Sequence, residues 1–381
     1  MFLNVSKTGT GNPPFKPSPP PSLIKEPTVA TSKLEKITIP ETTNIAIRAS
    51  GNFLVAFIFG AFFIIWAGES PITAYMALIK GALGSSFAIT ESLTRAIPLI
   101  FTGLAAAVAF RAKFWNIGAE GQLYCGAMAA TLVGTGMIDL PSVIMIPVLF
   151  IAGALAGCLI LLLPVFLKTH MKVDEVVTTL LLNFIILLFV NMLLEGPWKD
   201  PMAMGWPQAA RIIDNGVLPT IVAKSRLHFG IIIALVMSVV MWAILRFTVW
   251  GYEIRAVGYN QQASTFFGIS INKSVLMVAL FSGGLAGMAG VSEVAGLKGY
   301  LTLTLSPGFG YTGIAVAMLA QLHPIGVIIS AVFLASIYVG ADAMSRTVNI
   351  PNYIADILVA ISLLSVLVGS MLARFRIVWG K

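Results

Sequence analysis

Residues 114–122 read Phe-Trp-Asn-Ile-Gly-Ala-Glu-Gly-Gln and lie between two apolar runs, residues 96–110 and 123–133. The runs are too close together for a soluble linker to intervene. Gly118, Gly121 and Gly126, the amides Asn116 and Gln122, and the carboxylate Glu120 therefore belong at or near membrane depth. Lipid offers no partner to a bare backbone or an ionised side chain. Such a segment persists only when it is buried in protein or lines a wet cavity. The stretch implies a chain that builds a solute path through a bilayer and uses this segment as part of it.

Composition agrees. The 381 residues are 57% hydrophobic and only 10% charged, where a soluble globular protein carries about 25% charged residues. Mean hydropathy is +0.91. The chain is an integral membrane protein on this ground alone. Its net charge of +8 is also what a nucleic-acid binder shows, but no basic motif supports that reading. Cationic loops facing an anionic cytoplasmic leaflet account for the charge. Cys125 and Cys158 both fall in apolar runs and read as small core residues, not as a disulfide framework or a metal site. The chain shows no nucleophile–base pair, no metal-ligand cluster and no cofactor motif.

Residues 1–45 differ in kind. Pro13, Pro14, Pro17 and Pro19 to Pro21, with Lys7, Lys16, Lys25, Lys33 and Lys36, cannot bury a core. They read as a disordered cytoplasmic tail, with a proline-rich docking ligand as the alternative. No charged n-region leads directly into an apolar h-region, so no cleavable signal peptide is visible. Residues 46–381 form the transmembrane domain.

A spanning helix needs roughly 20 mostly apolar residues. Candidates lie at 49–67, 94–110, 120–137, 142–167, 175–194, 228–247, 274–296, 310–322, 324–341 and 353–372, with a weaker segment at 71–83 expected along the outer interface. The fold expected is all-α, with about ten transmembrane helices. Short loops set orientation: Arg111 and Lys113, Lys168 and Lys172, Arg246, Arg255 and Lys273, and Arg374, Arg376 and Lys381 mark the inner ends. Both termini are then cytoplasmic. The longest outer segment, 195–227, carries Trp198 and Trp206 for a membrane–water interface and is where an external partner would dock.

Gly153 and Gly157 stand four apart, as do Gly283 and Gly287. This spacing permits close helix–helix contact in lipid; a gating hinge is the alternative. Gly308-Phe309-Gly310-Tyr311-Thr312-Gly313 matches a dinucleotide-binding pattern, which has meaning only after a strand. Here it opens an apolar helix. It reads as flexible backbone at the mouth of a span, with Tyr311 and Thr312 offering hydroxyls. It is also a candidate counterpart of residues 116–122, which would give two inverted halves with interrupted helices near the midplane.

No phosphate-binding loop of the G-x-x-x-x-G-K-[ST] type occurs. If ATP drives the protein, another subunit supplies it. In the inner loop at 250–273, Asn260 suits an N-cap and Gly268 a helix stop. Ala263, Phe266 and Phe267 between them form an apolar knob, either docking another protein or resting on the bilayer. Asp174 and Glu175 suit the first turn of the next helix. Asn183 and Asn191, about 80° apart on a helical wheel, either join helices or bond a passing solute. Glu120 and Glu293 are the carboxylates at membrane depth, where a charge costs about 2.5–3.5 kcal/mol. Lys298 is a loose partner for Glu293. Glu120 is neutralised by Arg111 or Lys113, or capped by amides of its own loop; a proton relay is the alternative.

Ala109-Phe110-Arg111, the 114–122 stretch, and Asp174-Glu175-Val176-Val177-Thr178-Thr179 with Asn183 closely resemble the permease subunits of bacterial ABC importers. Arg255 to Asn260, Gly268-Ile269, Gly313 to Leu319 and Pro324-Ile325-Gly326 match the same pattern, in order. The group is that of simple-sugar, nucleoside and branched-chain amino-acid permeases, and the glycine–glutamate stretch is most similar to its nucleoside-type branch. The proline-rich tail falls outside the pattern, as does Asn260-Gln261-Gln262, where the family often has Asn-Pro followed by acidic residues.

The resemblance implies a multi-pass permease of the bacterial cytoplasmic membrane that performs no bond chemistry. It implies a second permease subunit, cytoplasmic ATP-binding subunits, an external solute-binding protein and no cofactor. The expected solute path comprises Asn116, Glu120, Gln122, Asn183, Tyr311 and Thr312. The expected coupling surface comprises Asp174, Glu175, Arg255, Asn260, Ala263, Phe266 and Phe267. The solute expected is a nucleoside. The alternatives are a monosaccharide, or a secondary transporter with Glu120 titrating.

Overall fold

The structure, a computed structural model, describes residues 58–348, the strands Leu34–Lys36 and Phe375–Ile377, and scattered helical positions between 353 and 364. Strand β1 (Leu34–Lys36) pairs antiparallel with β2 (Phe375–Ile377), Leu34 opposite Ile377. The rest of the tail expected at 1–45, the first residues of the span at 49–67 and most of that at 353–372 lie outside the described residues.

The transmembrane region is helical. Helix α1 (Ile58–Trp66) and α2 (Pro71–Leu83) meet at a 113° bend. Pro71 starts α2 after an extended Ser70, where a missing N–H costs nothing. Six helices are long and apolar enough to cross a membrane: α3 (Ser86–Arg111), α5 (Ser142–Met171), α6 (Glu175–Glu195), α7 (Gly230–Phe247), α10 with its continuation (Ile271–Lys298) and α12 (Pro324–Val348). The bent pair makes a seventh if taken as one span. Among the described residues this falls short of the ten expected. Two expected spans form shorter helices, α4 (Ala119–Gly134) and α11 (Phe309–Leu319). Left-handed Gly136 follows α4, and left-handed Gln321 and Leu322 follow α11. Each falls below the roughly 20 residues that span a bilayer.

Two helices run longer than hydropathy implies, because their polar residues are paired within the fold. Helix α3 begins eight residues before 94, capped by Ser85 Oγ accepting from Ala88 N at 3.1 Å, and so takes in Glu91 one turn ahead of Arg95. Helix α12 runs past 341 to include Asp342, which Arg95 binds at 2.5 Å.

Helix α3 is buried along most of its length and forms the centre of the core, whereas α5, α6 and α7 each turn an apolar face outward. Helix α5 packs backbone to backbone on α10. A Cβ placed on Gly157 would lie 2.1 Å from Gly283 O, and one on Gly287 would lie 2.1 Å from Gly153 O. The four-residue glycine spacing therefore serves backbone-to-backbone packing, as expected. At its end α10 widens into a π turn (Glu293–Lys298). Segment 196–229, between α6 and α7, holds its place through backbone bonds from Ile213 N to Gly134 O, Ile212 N to Gly299 O and Leu218 N to Ala295 O.

Candidate functional site

The stretch at 114–122 lies against one face of α6. Glu175, Thr179 and Asn183 recur every four residues and so share that face. Glu175 Oε1 accepts from Trp115 N at 3.3 Å, Thr179 Oγ1 accepts from Ile117 N at 3.2 Å, and Asn183 Oδ1 accepts from Gly121 N at 2.8 Å. Asn183 Nδ2 donates in turn to Ile117 O at 2.9 Å. Three side chains of one helix thus satisfy the irregular backbone that lipid would leave bare.

The amides close on each other. Asn116 Nδ2 donates to Gln122 Oε1 at 3.0 Å, and Gln122 Nε2 returns a bond to Asn116 Oδ1 at 2.9 Å. Asn116 also donates to Ser282 Oγ at 2.9 Å, and Ser282 donates to Ala105 O at 2.9 Å. Asn116, Gln122 and Asn183 are at most 1% exposed. Of the two conditions that let such a segment persist, burial in protein is the one met for these amides.

The second glycine segment meets the first directly. Gly310 N, at the start of α11, donates to Glu120 Oε2 at 2.6 Å. Glu120 is therefore capped by an amide of the 308–313 segment, not by its own loop, and it forms no ion pair with Arg111 or Lys113 among the described residues. Asn183 Nδ2 also reaches Tyr311 Oη at 3.1 Å. Tyr124 on α4 donates to Leu303 O at 2.6 Å and accepts from Ser306 N at 3.3 Å, holding the approach to α11. Gly308 stands at φ +95° before α11, and the element that leads into it is the π turn rather than a strand, so the dinucleotide reading fails.

The opposite face of α11 borders a cavity of about 460 Å³ enclosed with α3, α12 and the π turn. Of the six expected path residues only Thr312 lines it. Its other polar lining was not singled out from sequence, apart from Glu293 and Lys298. Arg226 holds Glu91 through two bonds, at 2.7 and 3.2 Å, and Arg95 binds Asp342. A second cavity, of about 400 Å³, shares Glu91, Arg95, Arg226 and Asp342, so these four side chains form a wall common to both. Glu91 and Arg95 form an i,i+4 ion-pair pattern, a legible signal at the head of an apolar run. Lys298 donates to Thr304 O and forms no direct ion pair with Glu293, acting on it only through space, the loose partnership expected.

The expected coupling residues lie away from this cavity. Asp174 caps α6, accepting from Val176 N at 2.7 Å. Glu175 forms an ion pair with Lys168, whose Nζ also lies 5.1 Å from the Phe114 ring centroid. Helix α8 (Val249–Tyr259), which carries Arg255, packs on the end of α3: a Cβ on Gly258 would lie 1.9 Å from Arg111 O. Asn260 then caps α9 (Gln261–Phe266), accepting from Ala263 N at 3.0 Å, and Gly268 follows at φ +78°. Ala263 is half-buried, while Phe266 and Phe267 are 92% and 84% exposed.

Residues 88–367 match the family described as branched-chain amino acid transport system / permease component. A guanosine ABC transporter permease of Bacillus subtilis is 37% identical over 84% of this chain and 92% of its own length. A glucose ABC transporter permease of Haloferax volcanii is 31% identical over 85% of this chain and 87% of its own. A nucleoside ABC transporter permease of Lactococcus lactis is 32% identical over 80% of this chain and 85% of its own. With its long apolar helices and a family match covering most of its length, the chain is a multi-pass membrane protein that belongs to this permease family.

Proposed function

We propose that the chain is the membrane-spanning subunit of an ATP-driven nucleoside importer. The family match across residues 88–367 carries the reading, and two of the relatives described above are named for nucleoside or guanosine transport. Two permease subunits line one path in the bacterial cytoplasmic membrane, both termini of this chain facing the cytoplasm. ATP is hydrolysed on separate cytoplasmic subunits, and an external binding protein delivers the solute near segment 196–229. Residues 1–45 are a tail and 46–381 the permease domain. Adding α4, α11 and residues 353–372 to the seven spans gives ten crossings, with α4 and α11 as matching interrupted helices of two inverted halves.

The coupling surface comprises Asp174, Glu175, Arg255, Asn260, Ala263, Phe266 and Phe267. Of the path residues, Asn116, Glu120, Gln122 and Asn183 lock the two glycine segments together, and Tyr311 joins that lock. Thr312, one residue along α11, faces the solute. Motion of α8 and α9 reaches the lock through the end of α3, where α8 packs.

Reconstitution in proteoliposomes with the ATP-binding subunits and binding protein tests this reading. ATP-dependent nucleoside uptake is the expected result. Uptake by the chain alone under a proton gradient would overturn it.

A further inference from the structure

Glu293 stands at the first position of the π turn, is 2% exposed, and lines the 460 Å³ cavity. Its carboxylate has no hydrogen bond or ion pair among the described residues. The neighbouring acids are paired, Glu91 with Arg226 and Asp342 with Arg95, while Lys298 donates to the Thr304 carbonyl and reaches Glu293 only through space. Asp356, the remaining acid of the lining, is exposed. A buried carboxylate without a partner is costly, and when ionised it only accepts hydrogen bonds. What completes it is a ligand that presents donors. π turns, moreover, recur at functional sites.

We infer that Glu293 is a solute-binding residue that receives a pair of adjacent hydroxyls, the vicinal diol of a nucleoside ribose or of a monosaccharide. The cavity falls within the roughly 300–1,000 Å³ of small-molecule sites. Its other groups suit such a solute. The hydroxyls of Thr312 and Tyr338, 3.5 Å apart, offer further donors and acceptors, and Phe309 offers an apolar ring. With Glu91 paired to Arg226 and Asp342 to Arg95, the wall presents no dominant charge and suits a neutral solute. The inference rests on the importer reading and deepens it.

The test uses the assembled complex in proteoliposomes and compares a ribonucleoside with its 2′,3′-dideoxy counterpart, with glucose as competitor. The wild-type complex should take up the ribonucleoside more readily than the dideoxy form. Glu293→Gln should raise KM for the ribonucleoside about tenfold, the scale of one charge-assisted bond lost, and change KM for the dideoxy form far less. Glu293→Asp should recover part of the loss. Competition by glucose would assign the diol to sugars as well as nucleosides; its absence would assign it to nucleosides alone.

Equal KM values for the ribonucleoside in wild type and Glu293→Gln would overturn the assignment. Should Glu293→Gln fail to assemble, Tyr338→Phe and Thr312→Val carry the same comparison: lost discrimination against the dideoxy form supports the site, and retained discrimination overturns it. A wild-type complex that moves neither nucleoside nor sugar with ATP overturns the importer reading itself. That failure is visible before any variant is made.

Discussion

Glu120 and Gly310 are 190 residues apart in sequence, and a 2.6 Å bond from the Gly310 amide to the Glu120 carboxylate joins the two glycine segments of the fold. Space and hydrogen bonding both act there. A Cβ on Gly310 would lie 2.2 Å from Glu120 N, a backbone atom that cannot swing away. Gly310→Ala should therefore part α11 from α4. Glu120→Ala leaves the amide buried without its acceptor, a loss of about 1–3 kcal/mol for an unsatisfied buried donor. Glu120→Gln keeps an oxygen that can accept. Thermal midpoints of the purified protein should fall in the order Gly310→Ala most, Glu120→Ala next, Glu120→Gln least. A Gly310→Ala protein as stable as wild type would show that the junction is dispensable.

The α5–α10 strip predicts a contrast between near neighbours. Gly287 has the Gly153 carbonyl 2.1 Å from where a Cβ would sit, whereas at Gly284 the nearest atom is the Cys158 sulfur at 3.2 Å. Overpacking that cannot relax costs typically 1–3 kcal/mol, and helix pairs in lipid depend on such close approach. Gly287→Ala should cost at least about 1 kcal/mol more than Gly284→Ala in a reversible unfolding assay. Similar losses at both positions would mean that the strip tolerates separation.

Much of this was legible before any coordinates. Spacing alone marked Gly153, Gly157, Gly283 and Gly287, because a four-residue repeat of small side chains favours close packing in lipid over the alternative of a hinge. Asp174 and Asn260 announced helix starts, and both accept from the expected backbone amides. What stayed hidden was partnership at long range. Asn183 read equally as glue or as solute ligand, since its partners Gly121 and Ile117 lie more than sixty residues away. Glu120 finds its partner on α11, which no local pattern names. The cavity wall escaped for a different reason: the apolar run begins at 94, so Glu91 fell just outside the span it belongs to, and Arg95 stood at its edge without the partner that explains it.

His228, in the loop ahead of α7, predicts a pH dependence. Its Nδ1 accepts from Gly230 N at 3.2 Å, while Nε2 has no partner among the described residues. Burial pushes its pKa down from 6.5 to about 4. The unfolded chain therefore binds more protons than the folded one between those values, and stability rises with pH across that window. The contribution is complete above pH 6.5 and is lost as pH falls toward 4, a change of about 3 kcal/mol. His228→Gln removes the titrating group. The gap between its thermal midpoints at acid and neutral pH should be several degrees smaller than in wild type. An unchanged gap would place the acid sensitivity elsewhere.

Phe266 and Phe267 end the short helix α9 almost fully exposed, on a loop whose preceding helix rests on α3. Apolar rings in that position need a cover, either the bilayer surface or the ATP-binding subunit. The two covers predict different results for one variant. Changing Ala263, Phe266 and Phe267 together to Asp places three charges where an apolar pocket would receive the rings, yet leaves the Asn260 cap intact, because Asn260 Oδ1 accepts from the backbone of residue 263 and not from its side chain. The permease should fold and reach the membrane at wild-type levels but lose co-purification of the ATP-binding subunit. Transport should fall to background, while the thermal midpoint of the permease alone moves by no more than a degree or two. If the knob only rests on lipid, the ATP-binding subunit stays bound, and the coupling assignment of α9 fails.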